Sequence, residues 1–106
     1  MSQLGEFEQV VLIALVRLGS DAYGVAIADE IHDRTRRDVS LGAVYKTLER
    51  LETKGLAVSR VGEPTAERGG RRKKHYRISA AGQRELRHSL RSLRSMVAGL
   101  AADLEL

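Results

Sequence analysis

The sequence predicts a small, mainly helical α+β domain with three helices, a β-hairpin and a final helix, in that order. Three observations predict it. Apolar residues recur every three or four positions as far as Lys54, the period changes to alternation after Gly55, and a helical period returns after Ser79. A chain of 106 residues, 42% of them hydrophobic, has room for one core. We therefore expect one compact domain.

The first predicted helix is apolar almost all round. One face repeats at helical spacing and comprises Leu4, Phe7, Val11, Leu15 and Leu18. A second apolar set lies off that face and comprises Val10, Leu12, Ile13 and Val16. Such a helix is buried on two sides, and in so small a domain we expect the second side to meet another subunit.

Two further helices precede the hairpin. The second is predicted from Ala22 to about Asp33. The third is predicted from Leu41 to Lys54, with Ser40 as its N-cap and Gly55 as the residue that ends it. A narrow apolar face of the third helix is predicted to contact the core and carries Leu41, Val44, Leu48 and Leu51.

The opposite face of the third helix carries Gly42, Ala43, Lys46, Glu49, Arg50 and Thr53, with Thr47 at its flank. Small residues let the start of the helix approach DNA closely, and Lys46 and Arg50 can reach guanine acceptors or phosphates. Glu49 either accepts a hydrogen bond from cytosine or pairs with Arg50. An ordinary solvated helix face would show the same pattern.

The hairpin is predicted between Val58 and Ile78, with a long basic loop. Residues 57–79 hold seven Lys/Arg and two Asp/Glu, whereas residues 1–56 hold seven and nine. Four of these cations are consecutive, namely Arg71, Arg72, Lys73 and Lys74. Localised positive charge is typical of proteins that contact a phosphate backbone. A solvated charged loop is the alternative.

The final helix begins after Ser79, its predicted N-cap. Its apolar residues step alternately by four and three and comprise Leu86, Leu90, Leu93, Val97, Leu100 and Leu104. This is a heptad seam, and we expect one helix through Leu104 that forms a dimer interface together with Val10 and Ile13. Packing within one chain is the alternative. The seam divides the chain into a nucleic-acid-binding part, residues 1–79, and a dimerisation helix, residues 80–106.

This order of elements describes a winged helix-turn-helix, in which the third helix enters the DNA major groove and the hairpin, or wing, contacts the flanking backbone. Five stretches carry a more specific signal: Tyr23-Gly24, residues 39–45, residues 48–56, residues 69–78 and Ala81-Gly82. With these stretches in this order and spacing, the chain resembles the PadR family of bacterial transcriptional regulators over roughly residues 4–90.

The resemblance implies a homodimeric transcriptional repressor that binds duplex DNA, in which the last helix of one subunit packs against the first helix of the other. The resulting DNA-binding set comprises Tyr23, Ser40, Gly42, Ala43, Tyr45, Lys46, Thr47, Arg50, Arg71, Arg72, Lys73 and Lys74. Tyr45 either directs its hydroxyl to the DNA backbone or is structural, and Tyr76 is assigned to the core. Two positions depart from the family pattern: the family often has Thr where this chain has Ala43, and Pro where it has Lys46. We therefore expect an operator sequence that differs from those of better-known family members.

Other classes of function find less support. The chain has no cysteine, which excludes disulfides, a thiolate zinc site and a cysteine nucleophile. Its longest apolar run has seven residues, from Val10 to Val16, too few for a membrane-spanning helix. No basic cluster precedes an apolar stretch near Met1, so we expect a cytoplasmic protein. The three histidines lie on different predicted elements, and we expect neither an enzyme, a metal site nor a cofactor.

Some relatives sense small aromatic compounds; the sequence leaves an effector open, but without tryptophan it excludes a tryptophan-walled site. A winged-helix module that binds protein is the alternative.

Overall fold

The first half of the chain, where apolar residues recur at helical spacing, forms three helices, and the hairpin and the C-terminal helices follow. The computed structural model describes residues 4–62 and 73–106. The helices are α1 (Glu6–Leu18), α2 (Gly24–Thr35), α3 (Leu41–Thr53), α4 (Ala80–Val97) and α5 (Ala101–Leu104), and the strands are β1 (Ala57–Val61) and β2 (Lys74–Ile78). A 3-10 turn, Gly19–Asp21, joins α1 to α2. The predicted fold class is confirmed.

The core lies where α1, α2 and α3 meet. Its largest fully buried side chains are Val11, Leu12, Leu15, Ile27, Val44, Leu48 and Leu51. Full burial of a Leu, Ile or Val side chain stabilises a protein by about 1.5–3 kcal/mol, so these contacts fix the orientation of α3. The opposite face of α3 is thereby left towards solvent.

The hairpin is anchored on both sides. Strands β1 and β2 pair antiparallel, from Ala57 opposite Ile78 to Val61 opposite Lys74. The backbone of Tyr23 forms a bridge to His75, and the amide of Tyr76 donates to the carbonyl of Ala22 over 2.8 Å. The connection before α2 therefore acts as a third short strand and holds the base of the wing.

The N-caps that the sequence predicts are present. The hydroxyl of Ser40 accepts from the amide of Ala43 at 3.0 Å, and that of Ser79 accepts from the amide of Gly82 at 3.0 Å. The Ser79 hydroxyl also donates to the carbonyl of Gly55 over 2.7 Å. Gly55 has a φ of 75° and follows α3, as expected of a glycine that ends a helix. The end of α3 is thus tied to the start of α4.

The prediction of one final helix through Leu104 is wrong. Helix α4 ends at Val97, and Ala98 is extended, with φ −54° and ψ 129°. Gly99 follows with a φ of 83°, which glycine adopts at little cost. Leu100 and Leu104 therefore do not continue the apolar face of α4. Heptad spacing alone does not detect such an ending.

Three expectations about buried faces are also corrected. Leu41 is 43% exposed, although it was placed on the core face of α3. Leu12 is fully buried in the chain's own core, so the second face of α1 is reduced to the partly buried Val10 and Ile13 and the exposed Val16. Leu86, expected at a dimer interface, is only 7% exposed and belongs to the intrachain core.

Candidate nucleic-acid interface

The outward face of α3 presents small and basic residues together, as predicted. Gly42, Ala43, Lys46 and Arg50 are all exposed, as is Glu49 between the two cations. Within residues 4–62 and 73–106, neither Lys46 nor Arg50 forms an ion pair. Ser40 caps α3, and its hydroxyl oxygen accepts from the amide of Ala43, one of the free backbone donors at the start of the helix. This face can therefore bring the two cations Lys46 and Arg50, which form no ion pair in the described residues, close to a surface rich in hydrogen-bond acceptors.

Thr47 does not belong to that face. It is 4% exposed, and its hydroxyl donates to the carbonyl of Ala43 over 2.8 Å. The buried arc of α3 passes through Thr47 rather than through Leu41, so the expected DNA contact of Thr47 is not available in this arrangement. The helical pattern alone places both residues at the edge of the apolar face.

Tyr45 packs its ring against the start of α2. A side-chain carbon on Gly24 would overlap the Tyr45 ring and hydroxyl, so glycine is required there for this approach. Tyr45 remains 42% exposed. Helix α2 begins after Tyr23 without a side-chain cap, which leaves amides of its first turn available to another acceptor. Tyr45 thus lies against the residue that follows Tyr23, the other motif tyrosine.

Lys73 joins the same cluster from the wing. Its Nζ lies 4.3 Å from the centroid of the Tyr23 ring, in a cation–π contact. His75 also lies against the Tyr23 ring, edge-on at 5.7 Å between centroids. The structure therefore places a wing cation on the ring of Tyr23, and Tyr45 of α3 packs against Gly24, the next residue along the chain.

Lys74 is held differently from Lys73. Its Nζ lies 3.6 Å from a carboxylate oxygen of Glu52 and 5.5 Å from the centroid of the Tyr76 ring. The negative charges of ionised Tyr76 and of Glu52 raise the pKa of Lys74 above its ordinary value. Tyr76 itself is buried, as expected. Arg71 and Arg72, the other two predicted wing cations, lie outside the described residues.

An ion pair that the sequence analysis missed fixes the far end of α3. Lys54 Nζ lies 2.7 Å from Oε2 of Glu8, and Glu8 is only 6% exposed. The second carboxylate oxygen of Glu8 accepts from the amide of Gly5 at 2.8 Å. Burial by itself raises the pKa of Glu8, but the hydrogen bonds from Lys54 and Gly5, with the charges of Lys54 and Arg50, outweigh it and lower the pKa. The signal in the sequence was an acid within the apolar pattern of α1.

We expect Glu8→Gln to lower the free energy of unfolding at pH 7 by about 1–2 kcal/mol, because the amide cannot carry the charge that pairs with Lys54. The folded pKa of Glu8 lies below its ordinary value of 4.5. Its stabilisation is therefore present above pH 4.5 and is lost as the pH falls through the lowered value. Denaturant unfolding of both proteins, at pH 7 and at steps below pH 4.5, measures this difference.

Glu6→Gln is the matched control, since Glu6 lies in the same turn and pairs with Arg37 at 2.8 Å but has a 69% exposed side chain. Its loss should be below about 0.5 kcal/mol. A difference between wild type and Glu8→Gln that stays constant with pH would contradict the role of the Glu8 charge.

These elements define a class of protein: three helices with an exposed third helix, and a hairpin wing anchored beside it, form a winged helix-turn-helix. Residues 11–88 match the profile of the transcriptional regulator PadR-like family. The match covers well over half of the chain, which therefore belongs to this family. A search of curated proteins finds no match.

Solved structures share the fold. A PadR family regulator from Eggerthella lenta is 26% identical, with a TM-score of 0.70 over 94% of this chain and 87% of that one. One from Clostridium difficile is 23% identical, with a TM-score of 0.73 over 92% and 98% of the two chains. Bacillus subtilis PadR, in complex with operator DNA, is 22% identical, with a TM-score of 0.66 over 79% of this chain and 47% of that one.

Two further observations concern other classes of site. Among the residues described, no three His, Cys, Asp or Glu side chains are grouped as metal ligands. No helix in the same part of the chain has the length and apolar character needed to cross a membrane.

Proposed function

We propose that this protein is a homodimeric repressor that binds a palindromic operator through α3 and the wing. The observation that carries the proposal is the exposed α3 face, where Lys46 and Arg50 project beside Gly42 and Ala43 without ion-pair partners in the described part of the chain. We further propose that it acts in the cytoplasm.

Base reading is assigned to Lys46 and Arg50. A basic side chain in the major groove donates to O6 and N7 of guanine, and an arginine can do so with two hydrogen bonds. Gly42 and Ala43 have no bulk that would keep the start of α3 away from the base edges. Glu49, which makes no ion pair in the described residues, can accept from a cytosine amino group.

Backbone contact is assigned to the cluster at the start of α2. The Tyr45 hydroxyl, the uncapped amides after Tyr23 and the Lys73 ammonium are all suited to phosphate oxygens. The hydroxyl of Ser40, whose oxygen accepts from Ala43, retains a proton to donate. Arg71 and Arg72 would extend this contact along the wing. Phosphate contacts of this kind set the register in which α3 meets the bases.

The dimer is assigned to the C-terminal segment, residues 80–106, and to α1. Leu90 and Leu93 of α4 are 39% and 53% exposed, and Val10 and Ile13 line a groove between α1 and α2. Exposed apolar residues in such a small chain are typical of an interface with another subunit. A two-fold dimer presents two copies of α3, so the two half-sites should lie about 10–10.5 bp apart, or a multiple of that.

Release from DNA by a small-molecule effector is a further part of the proposal. A cavity of about 500 Å³ lies between α1, the hairpin and the start of α4, and its lining includes Val16, Tyr76 and Arg77. A cavity of this size is within the usual range for small ligands. Because the cavity adjoins the hairpin, a ligand there could shift the wing relative to α3.

Selection of bound fragments from random duplex DNA tests the proposal. We expect an imperfect palindrome, and we expect Arg50→Ala to relax the preference at one symmetric position, at a cost of about 1–3 kcal/mol per half-site. Equal weakening on every sequence would make Arg50 a phosphate contact instead. A selected site without a dyad would contradict the dimer, and no binding even at low salt would favour a protein-binding module.

A further inference from the structure

A single carboxylate at the end of α3 contacts both strands of the wing. Glu52 is the next-to-last residue of α3. Its Oε2 accepts a hydrogen bond from the Ser59 hydroxyl of β1 at 2.7 Å, and its Oε1 lies 3.6 Å from Nζ of Lys74 on β2. Ser59 is paired with Tyr76, two residues from Lys74, so these three side chains lie on one face of the hairpin. One acidic side chain therefore connects both strands to the helix assigned to base reading.

This contact lies where the apolar packing of the hairpin ends. On the same face, nearer the core, Ala57 and Tyr76 are buried. Further out, the side chains of Glu52 and Lys74 are 31% and 49% exposed. An ion pair at this exposure contributes little to the free energy of unfolding. Its main effect is geometric, because a carboxylate with a partner on each strand restricts how far the outer part of the hairpin can move from α3.

Lys74 differs in this respect from the neighbouring cation. Nζ of Lys73 lies over the Tyr23 ring, and in the part of the chain that the structure describes Lys73 forms no ion pair. Lys74 instead faces the Glu52 carboxylate. A phosphate would have to compete with Glu52 for this ammonium group, and the negative charge of Glu52 would repel the phosphate. Lys73 is thus suited to contact DNA, whereas Lys74 is suited to bind α3.

We propose that Glu52 and Lys74 are positioning residues, which hold the wing in a set place relative to α3 and do not themselves contact DNA. This role rests on the proposed function, in which α3 reads the bases and the wing contacts the flanking backbone. A wing that is already held in place loses less conformational freedom when DNA binds, so the affinity is higher than with a mobile wing. The same contact sets how far the flanking contact lies from the bases that α3 reads.

Glu52→Gln tests this role, because it removes the charge that pairs with Lys74 and nearly keeps the shape of the side chain. Loss of a negative charge by itself favours binding to polyanionic DNA. We nevertheless expect operator affinity to fall about fivefold, a size usual for residues in one hydrogen-bond and ion-pair network. Hydroxyl-radical footprinting at saturating protein should show that protection of the half-sites is retained and that of the flanks is reduced. A residue that only stabilises the fold would move neither quantity in protein that circular dichroism shows to be folded.

Lys74→Gln, alone and combined with Glu52→Gln, tests whether Lys74 acts through Glu52. We expect the single variant to weaken binding about fivefold and the second substitution to add less than about twofold, since both break the same contact. Glu6→Gln is the matched control. It removes the same charge and breaks an ion pair, but its partner Arg37 lies outside the hairpin, so affinity and flank protection should stay at the wild-type level.

Hydrogen exchange tests the anchoring of the wing in the DNA-free protein. The Gly62 amide donates to the carbonyl of Lys73 over 2.8 Å. It should exchange at least about threefold faster in Glu52→Gln, while the amides of α3 keep their rates. A wild-type protein that binds no duplex even at low salt would contradict the proposed function, whereas unchanged exchange at Gly62 would contradict the anchoring. If wild type binds its operator and Glu52→Gln binds it equally or more tightly, or if the effects of the two substitutions add, the positioning role is overturned.

Discussion

Replacing Gly82 by Ala is expected to lower the free energy of unfolding by about 3 kcal/mol, because overpacking at a site closed by backbone cannot relax through a side chain. A Cβ at this position would overlap the carbonyl oxygen of Leu56 and lie 2.8 Å from Cγ1 of Ile78. Gly82 is the place where α4 crosses the connection between α3 and β1. The substitution therefore pushes the start of α4 away from the end of α3.

Thermal and denaturant unfolding measure the effect, which corresponds to a fall in Tm of more than about 10 °C in a domain of this size. Gly42→Ala is the matched control, since the nearest atom to its added Cβ would be the Ser40 hydroxyl oxygen at 4.0 Å. Alanine is preferred over glycine within a helix by up to about 1 kcal/mol, so this variant should be at least as stable as wild type. Equal stability of Gly82→Ala and wild type would show that the two elements separate without cost.

Replacing Lys46 by Glu is expected to weaken operator binding by about tenfold per half-site and so by about 100-fold for the dimer, since a cation is exchanged for an anion facing the DNA. Lys46 is exposed on α3 and makes no contact with the core, so the fold should be unaffected. Because each half-site loses a cation that lies against the polyanionic DNA, the dependence of log affinity on log salt should also become shallower, by about 2.

Fluorescence anisotropy with labelled operator DNA, repeated between low and physiological salt, measures both quantities. Arg84→Glu changes the net charge by the same amount at an exposed position of α4, outside the residues assigned to DNA contact, and should leave affinity and slope close to wild type. If Arg84→Glu weakens binding as much as Lys46→Glu, the attraction is a property of the overall charge and not of the α3 face.

The sequence by itself determined the order of elements and the local features that depend on neighbours along the chain. The helix caps at Ser40 and Ser79 and the helix end at Gly55 are contacts within a few residues, so residue type and spacing predict them. The outward face of α3, with Lys46 and Arg50, follows from the burial of Val44, Leu48 and Leu51 three or four residues apart. Helical period is a local property, and it is visible in one sequence.

Only the tertiary structure decided how these features meet. The contacts of Tyr45 with Gly24, of Lys73 with Tyr23 and of Gly82 with Leu56 join residues that lie far apart in the chain, and the ion pair of Lys54 with Glu8 spans 46 residues. Such contacts depend on how helices and strands cross, which the spacing of residues does not encode. The same reason explains why Thr47 is buried where Leu41 was expected: the angle at which α3 packs on its neighbours, and not its apolar pattern, sets the edge of the buried arc.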